Sequence, residues 1–244
     1  MRISRQRSRH FAVVLATACA LTTLAVLFSA AADAAGKHEA AAGKHKMPAR
    51  LWLGGDSMAY QINATLGAKA RYAGVHSYKS FCRSSTGLAR PDFFDWLKKL
   101  RSEMHSRHPQ TVVFMIGTND AQNMTKGGKI YVFKTTAWKK LYRHRVAEAI
   151  HIMLLNGVKR IYWVGMPIMR SSGFSAGMKL LNQLFKAEVT KHPEASYIDA
   201  WRLFSDSHGH FVNSWRQSSG DGIHFNMAGV SRMAKAIIAA IRRG

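Results

Sequence analysis

Cysteine is almost absent from this chain: only Cys19 and Cys82 occur among 244 residues. Cys19 lies inside an N-terminal apolar run, so a processed chain keeps one thiol, which cannot form an internal disulfide. The fold must then rest on its hydrophobic core. No Cys/His arrangement marks Cys82 as a nucleophile, and the 12 histidines show no zinc-type spacing with cysteines. The chemistry requires no metal, and the expected cofactor is none. Acids are scarce as well, 13 Asp and Glu against 36 Lys and Arg, for a formal net charge of +23. A field of that sign attracts polyanions. The positive residues are scattered, with modest clusters at Lys98-Lys99-Arg101 and Lys139-Lys140-Arg143-Arg145. That disfavours nucleic acid as a partner and leaves an anionic polymer or a membrane surface as the candidate. No internal repeat is present.

The N-terminal segment carries the longest apolar run. Arg2, Arg5, Arg7 and Arg9 precede an apolar stretch over residues 11–28, which exits through the small residues Ala32-Asp33-Ala34. Basic flank, apolar stretch and small-residue exit read as a secretory signal peptide over residues 1–34. The run is near the length that spans a bilayer, so a retained anchor is the rival reading. Residues 35–48 lack apolar periodicity and read as a flexible linker. The expected location is periplasmic or secreted. Loss of residues 1–34, with four arginines and one aspartate, lowers the charge to about +20, which still favours anionic surroundings.

Residues 49–244 read as one domain. Strands are expected at 51–54, 75–81, 111–116, 160–164 and 196–199. Helices are expected at 59–72, at 90–107 with Pro91 near the start, and at 138–155, 176–192 and 227–242. Apolar strands alternating with helices argue for a parallel sheet covered on both faces. Five strands suggest a three-layer α/β/α, flavodoxin-like fold. Ligands then sit beyond the carboxyl ends of the strands.

Three polar blocks fall there. The first strand ends in Gly54-Gly55-Asp56-Ser57, the third in Gly117-Thr118-Asn119-Asp120, and Asp221-Gly222-Ile223-His224 stands just before the last helix. Together they supply an oxygen nucleophile, a base, an acid to orient the base and a polar donor, the needs of acyl transfer. In Asp-x-x-His the side chains converge across a tight turn, so Asp221 can accept a proton-bearing nitrogen of His224 and leave the other free for Ser57.

These blocks, with Ser85-Thr86-Gly87-Leu88 between the first two, resemble blocks I, II, III and V of the SGNH (GDSL-type) hydrolases. Ser85-Thr-Gly-Leu-Ala-Arg-Pro-Asp-Phe-Phe-Asp-Trp96 and Val164-Gly-Met-Pro-Ile-Met-Arg170 are similar to an exported bacterial subgroup of unknown function. The resemblance implies a triad of Ser57, His224 and Asp221. It implies an oxyanion hole made by the N–H groups of Ser57 and Gly87 and the side-chain amide of Asn119. Met58 stands where the family name has leucine, and the glycine block is shortened in character.

Each block has a plainer reading. Asp56 and Ser57 can serve as a helix N-cap pair, Asn119-Asp120 as turn chemistry, and Asp221 and His224 as a pair capping the last helix. Asp120 is read as structural support. Arg170, on the site-bearing edge, is the candidate contact for an anionic part of the substrate, against an ordinary solvated arginine. The poorly periodic stretches 121–137 and 204–220 are candidate groove rims, with Tyr131, Phe133, Trp138 and Trp215 as rim aromatics or small satellite cores.

The resulting expectation is an exported serine esterase acting on O-acyl, chiefly O-acetyl, esters of an acylated glycan of the envelope or a secreted polysaccharide. The alternatives are an O-acetyltransferase using the same residues and a non-catalytic basic module that binds an anionic polymer.

Overall fold

A computed structural model describes residues 45–218 and 220–244. The expected signal peptide and most of the expected linker lie outside the described residues. Among the described residues no helix is long and apolar enough to cross a membrane.

Five strands form one parallel sheet: β1 (Arg50–Gly55), β2 (Ser77–Cys82), β3 (Thr111–Met115), β6 (Arg160–Val164) and β7 (Ala195–Ile198). Their order is β2-β1-β3-β6-β7, the flavodoxin-like arrangement expected of the sequence. The central strands are continuous apolar runs because helices cover both of their faces. Leu51 to Gly55, all of β3 and Ile161 to Val164 are buried. The outer strands β2 and β7 are mostly half-buried.

The long helices are α1 (Ser57–Tyr72), α2 (Trp96–Arg107), α3 (Thr136–Leu155), α4 (Ser172–Val189) and α6 (Met227–Arg243), with a single turn α5 (Ala200–Leu203). With this strand order, the right-handed crossover rule places α1 on one face and α2, α3 and α4 on the other, and α2 packs on α3 and α3 on α4. In α6, Val230, Met233, Ala234, Ile237, Ile238 and Ile241 recur at helical spacing and are all buried. On the α2–α4 side an aromatic chain runs through the core. Trp96 meets Phe114 at 5.5 Å, Phe114 meets Trp163 at 5.1 Å, and Trp163 meets Phe185 at 5.3 Å between ring centroids. The first two contacts are edge-to-face, a geometry that adds to simple area burial.

Two local expectations differ from the structure. The helix expected at 90–107 begins only at Trp96, because the Asp95 side chain accepts the N–H groups of Leu97 and Lys98 and so caps it there. The stretch 121–137 holds an antiparallel hairpin, β4 (Met124–Lys126) and β5 (Lys129–Tyr131). Gly127 and Gly128, with φ of +57° and +73°, form its two-residue turn, a conformation that favours glycine at both positions. Trp138 belongs to the main hydrophobic core rather than to a groove rim or a satellite core. It is fully buried, stacks on Tyr142 at 4.8 Å and donates its indole N–H to the Gln122 carbonyl at 2.8 Å.

Candidate active site

The carboxyl ends of β1 and β3 lie side by side, with Gly55 paired to Met115. Gly55 has φ of +149°, and a Cβ there would collide with the Met115 carbonyl, so only glycine lets the two strand ends meet. Asp56 follows, fully buried. One of its oxygens accepts Met58 N–H at 2.9 Å and caps α1. The other accepts Gly117 N–H at 3.0 Å and Thr118 N–H at 2.9 Å. The plain N-cap reading of Asp56 therefore holds, and the same carboxylate also ties the first block to the third. Burial pushes its carboxyl up to about 6 against the pull of these N–H groups.

Ser57 opens α1. As the first helical residue it has an N–H with no acceptor inside the helix. Its hydroxyl stands 3.0 Å from His224 Nε2, and His224 Nδ1 stands 2.7 Å from Asp221 Oδ2. The other Asp221 oxygen accepts the N–H groups of Ile223 at 2.7 Å and His224 at 3.1 Å. Burial raises the Asp221 carboxyl, but these backbone bonds and the imidazole outweigh it, leaving it below the usual aspartate range. The capping of α6 falls to Asn226, whose side chain accepts Gly229 N–H at 2.9 Å. Asp221 and His224 are free of that duty.

The glycine block is held from three sides. Thr86 accepts the Trp96 indole N–H at 2.9 Å and donates its hydroxyl to the Arg83 carbonyl at 2.6 Å. Asp120, fully buried, accepts Leu88 N–H at 2.9 Å, Ala89 N–H at 2.8 Å and the Tyr142 hydroxyl at 2.6 Å. Arg145 donates to the Leu88 carbonyl. A Cβ on Gly87 would run into the Asp120 carboxylate, so the close approach requires glycine. Asn119 donates one amide hydrogen to the Thr86 carbonyl at 2.9 Å, which aligns the group and leaves its second hydrogen available.

The structure thus brings Ser57, His224 and Asp221 into one hydrogen-bonded line and ties Asn119 to the segment bearing Gly87. Arg170 stands on the same edge but is engaged with the loop that carries Asp221. It donates to the Gly220 carbonyl at 3.0 Å and to Asn213 Oδ1 at 2.8 Å, and its backbone N–H bonds the Gly222 carbonyl at 3.2 Å. Burial and then the charge of Asp56 push the Cys82 thiol up to about 12, the opposite of what a nucleophilic cysteine needs.

Sequence reasoning missed Gln61. Its amide bonds both backbone groups of Phe225, accepting the N–H at 3.0 Å and donating to the carbonyl at 3.3 Å. This pins the helix of Ser57 to the residue after His224. The available signal was spacing, since Gln61 lies one helical turn beyond Ser57, on a similar bearing.

The sheet has the flavodoxin-like order, and Gly-Asp-Ser, Gly-x-Asn-Asp and Asp-x-x-His gather at its carboxyl edge, as the resemblance to the SGNH-type hydrolases implies. The chain belongs to the family described as Protein of unknown function (DUF459), whose model matches residues 50–240. No curated protein matches the sequence significantly. Among solved structures the fold is similar to LAE5, an alpha/beta hydrolase enzyme from the metagenome of Lake Arreo, Spain, with TM-score 0.62, 18% identity, and coverage of 79% of this chain and 94% of that one. It is similar to a catalytic mutant of Axe2, an acetylxylan esterase from Geobacillus stearothermophilus, with TM-score 0.55, 16% identity, and coverage of 81% and 96%. It is also similar to the C-terminal catalytic domain of the peptidoglycan O-acetyltransferase OatA of Streptococcus pneumoniae, with TM-score 0.52, 15% identity, and coverage of 80% and 93%.

Proposed function

We propose that this chain is an exported serine esterase that removes O-acyl groups, chiefly O-acetyl, from an envelope or secreted polysaccharide. The single observation carrying this reading is the line from Ser57 Oγ through His224 to Asp221, at 3.0 Å and 2.7 Å. Ser57 Oγ attacks the ester carbonyl while His224 Nε2 takes its proton. The carbonyl oxygen becomes an oxyanion, held by Ser57 N–H, Gly87 N–H and the Asn119 amide. Collapse breaks the ester C–O bond, and the imidazolium returns the proton to the departing alcohol. Water then attacks the acyl-enzyme, His224 takes one of its protons, and the acid leaves as Ser57 recovers its own.

Water access bears on the choice between hydrolysis and transfer. The side chains of His224 and Asp221 are 29% and 44% exposed, so a deacylating water has an open route. An O-acetyltransferase using the same residues would need a bound acceptor that outcompetes this water. The glycan substrate is supported by the basic charge of the chain and by the acetylxylan and peptidoglycan enzymes that share the fold.

The full chain is expected to hydrolyse small acetyl esters and to react with a fluorophosphonate serine probe, with Ser57→Ala folded and inactive in both. Retained turnover in that variant sinks the mechanism, and a wild-type chain inert to both reagents favours the polymer-binding alternative. A donor ester plus glycan that yields acylated glycan instead of free acid favours transfer. Export is checked by N-terminal sequencing of the mature protein, with cleavage after residue 34 or 35 expected.

A further inference from the structure

Arginine is seldom fully buried without a paired acid, yet Arg216 is 2% exposed. It follows a short 3-10 turn (Asn213–Trp215) and forms an isolated antiparallel bridge with Phe225, the residue after His224. On either side of the bridge, Gln217 N–H donates to the His224 carbonyl and Asn226 N–H to the Trp215 carbonyl, both at 3.1 Å. The guanidinium lies 4.8 Å from the ring of Phe225, 5.2 Å from Phe204 and 5.6 Å from Phe211. One terminal nitrogen donates to the Ile168 carbonyl at 2.6 Å. Its Nε and its other terminal nitrogen are buried with no partner.

For stability alone this is a poor arrangement. A buried cation with unmade hydrogen bonds loses more solvation than three aromatic faces return, and an apolar side chain of similar volume would do as well or better. What the arginine adds is a joint and a charge. The joint links the loop after β6, through Ile168, to the segment that presents His224. The charge sits where the carboxylate of Asp221 acts on it.

We propose that Arg216 is a positioning residue: by gripping the Ile168 carbonyl and the Phe225 ring it fixes the segment bearing His224, and so keeps the imidazole in line with Asp221. Arg216 touches no reacting atom. It acts through Asp221 and His224, and its kinetic consequence rests on the esterase reading. Burial pulls the guanidinium down to about 10, partly opposed by Asp221, so the group is cationic at neutral pH.

The test compares Arg216→Met, Arg216→Lys and Arg216→Gln in the full chain. Three readouts are taken: the thermal midpoint, the downfield Nδ1–H resonance of His224, and steady-state turnover of a small acetyl ester. Arg216→Met is expected to melt at or above the wild-type temperature, to lose or broaden the resonance, and to lower kcat by about tenfold to a hundredfold with KM little changed, the cost of a small misplacement of the base. Arg216→Lys keeps the charge and one donor and is expected to restore the resonance and most of kcat. A merely structural arginine predicts the reverse pattern, with the midpoint and activity falling together and lysine giving no rescue. An Arg216→Met chain with wild-type kcat and an unchanged resonance overturns the proposal. Should the methionine variant not fold, the lysine and glutamine variants decide: equal losses in both overturn it. A wild-type chain that turns over no ester defeats the esterase reading, and the resonance then tests Arg216 alone.

Discussion

Asp120 and Asp221 are both carboxylates that accept two consecutive or nearly consecutive backbone N–H groups and one side-chain donor, yet their surroundings drive them in opposite directions. Asp120 takes Leu88, Ala89 and the Tyr142 hydroxyl inside the core, and burial raises its carboxyl above the usual aspartate range. Asp221 takes Ile223, His224 and the imidazole at the surface, and its carboxyl falls below that range. Similar donor sets give opposite shifts because desolvation decides the sign. The buried group suits holding the Gly87 segment still. The open one stays charged and is fit to face an imidazolium. One half of the site is thus built into the sheet, and the other hangs on a loop held by Gln61, Arg170 and Arg216.

The largest expected effect lies where the halves meet. Ser57→Ala removes the one atom both serve and should lower turnover by on the order of 10⁴-fold or more without loss of fold, read as kcat/KM on a small acetyl ester beside circular dichroism. Next comes the comparison itself. Asp221→Asn should cost on the order of 10⁴-fold in kcat and less than about 1 kcal/mol of stability, because the group is exposed. Asp120→Ala should instead cost about 3–5 kcal/mol, since it strands the Tyr142 hydroxyl and two backbone N–H groups in the core. Urea unfolding of both variants checks this, and equal stability losses would break the contrast.

Asn119 belongs to the built-in half, and the proposed mechanism sets it against the oxyanion. Asn119→Ala should lower kcat by about two to three decades, the usual cost of one oxyanion donor, with KM changed far less. A pure KM effect would assign the amide to ground-state binding instead.

The two halves were unequally legible in the sequence. The fold was readable because central parallel strands are unbroken apolar runs and α6 carries its buried face at strict helical spacing. The blocks were readable because Gly-Asp-Ser and Asp-x-x-His are local. What the sequence hid is what depends on distant partners. Asp120 looks like any turn aspartate until Leu88 and Ala89 arrive from another element. Arg216 reads as a surface cation, since nothing local announces three phenylalanines closing over it. The hairpin of β4 and β5 did carry a signal, Gly127-Gly128 between short strands, but its strands have too little apolar alternation to stand out. Pro91 pointed to a helix start, whereas the cap that fixes the boundary is Asp95.

Asp56 tests the buried half through pH. Its carboxyl lies at about 6 in the fold against 3.8 for the unperturbed group. Between about pH 4 and 6 the folded chain then holds a proton the unfolded chain has lost, so this group makes stability fall as pH rises through that window. The difference corresponds to about 3 kcal/mol across it. Urea unfolding at intervals from pH 4 to 7 should show a steeper fall in the wild type than in Asp56→Asn, in which Asp120, also raised by burial, still contributes a fall of the same sign. Asp221, shifted the other way, contributes stability that is lost only as pH falls below 4. An equal slope in both chains would remove Asp56 as a source of it.

The smallest effect concerns Arg170, and it sharpens how the hanging half is held. Both terminal nitrogens of its guanidinium are engaged with the Asp221 loop, at the Gly220 carbonyl and Asn213. Gly222, with φ of +74°, packs so closely that a Cβ there would strike the Arg170 side chain. Arg170→Ala should loosen the loop without removing any reacting group. The expected loss is between about twofold and tenfold in kcat, the worth of one or two exposed hydrogen bonds. Because the guanidinium serves the loop rather than the solvent, the loss should be equal on a neutral and an anionic ester of the same leaving group. A markedly greater loss on the anionic ester would instead make Arg170 a contact for a negatively charged part of the substrate, and the loop would then owe its position chiefly to Gln61 and Arg216.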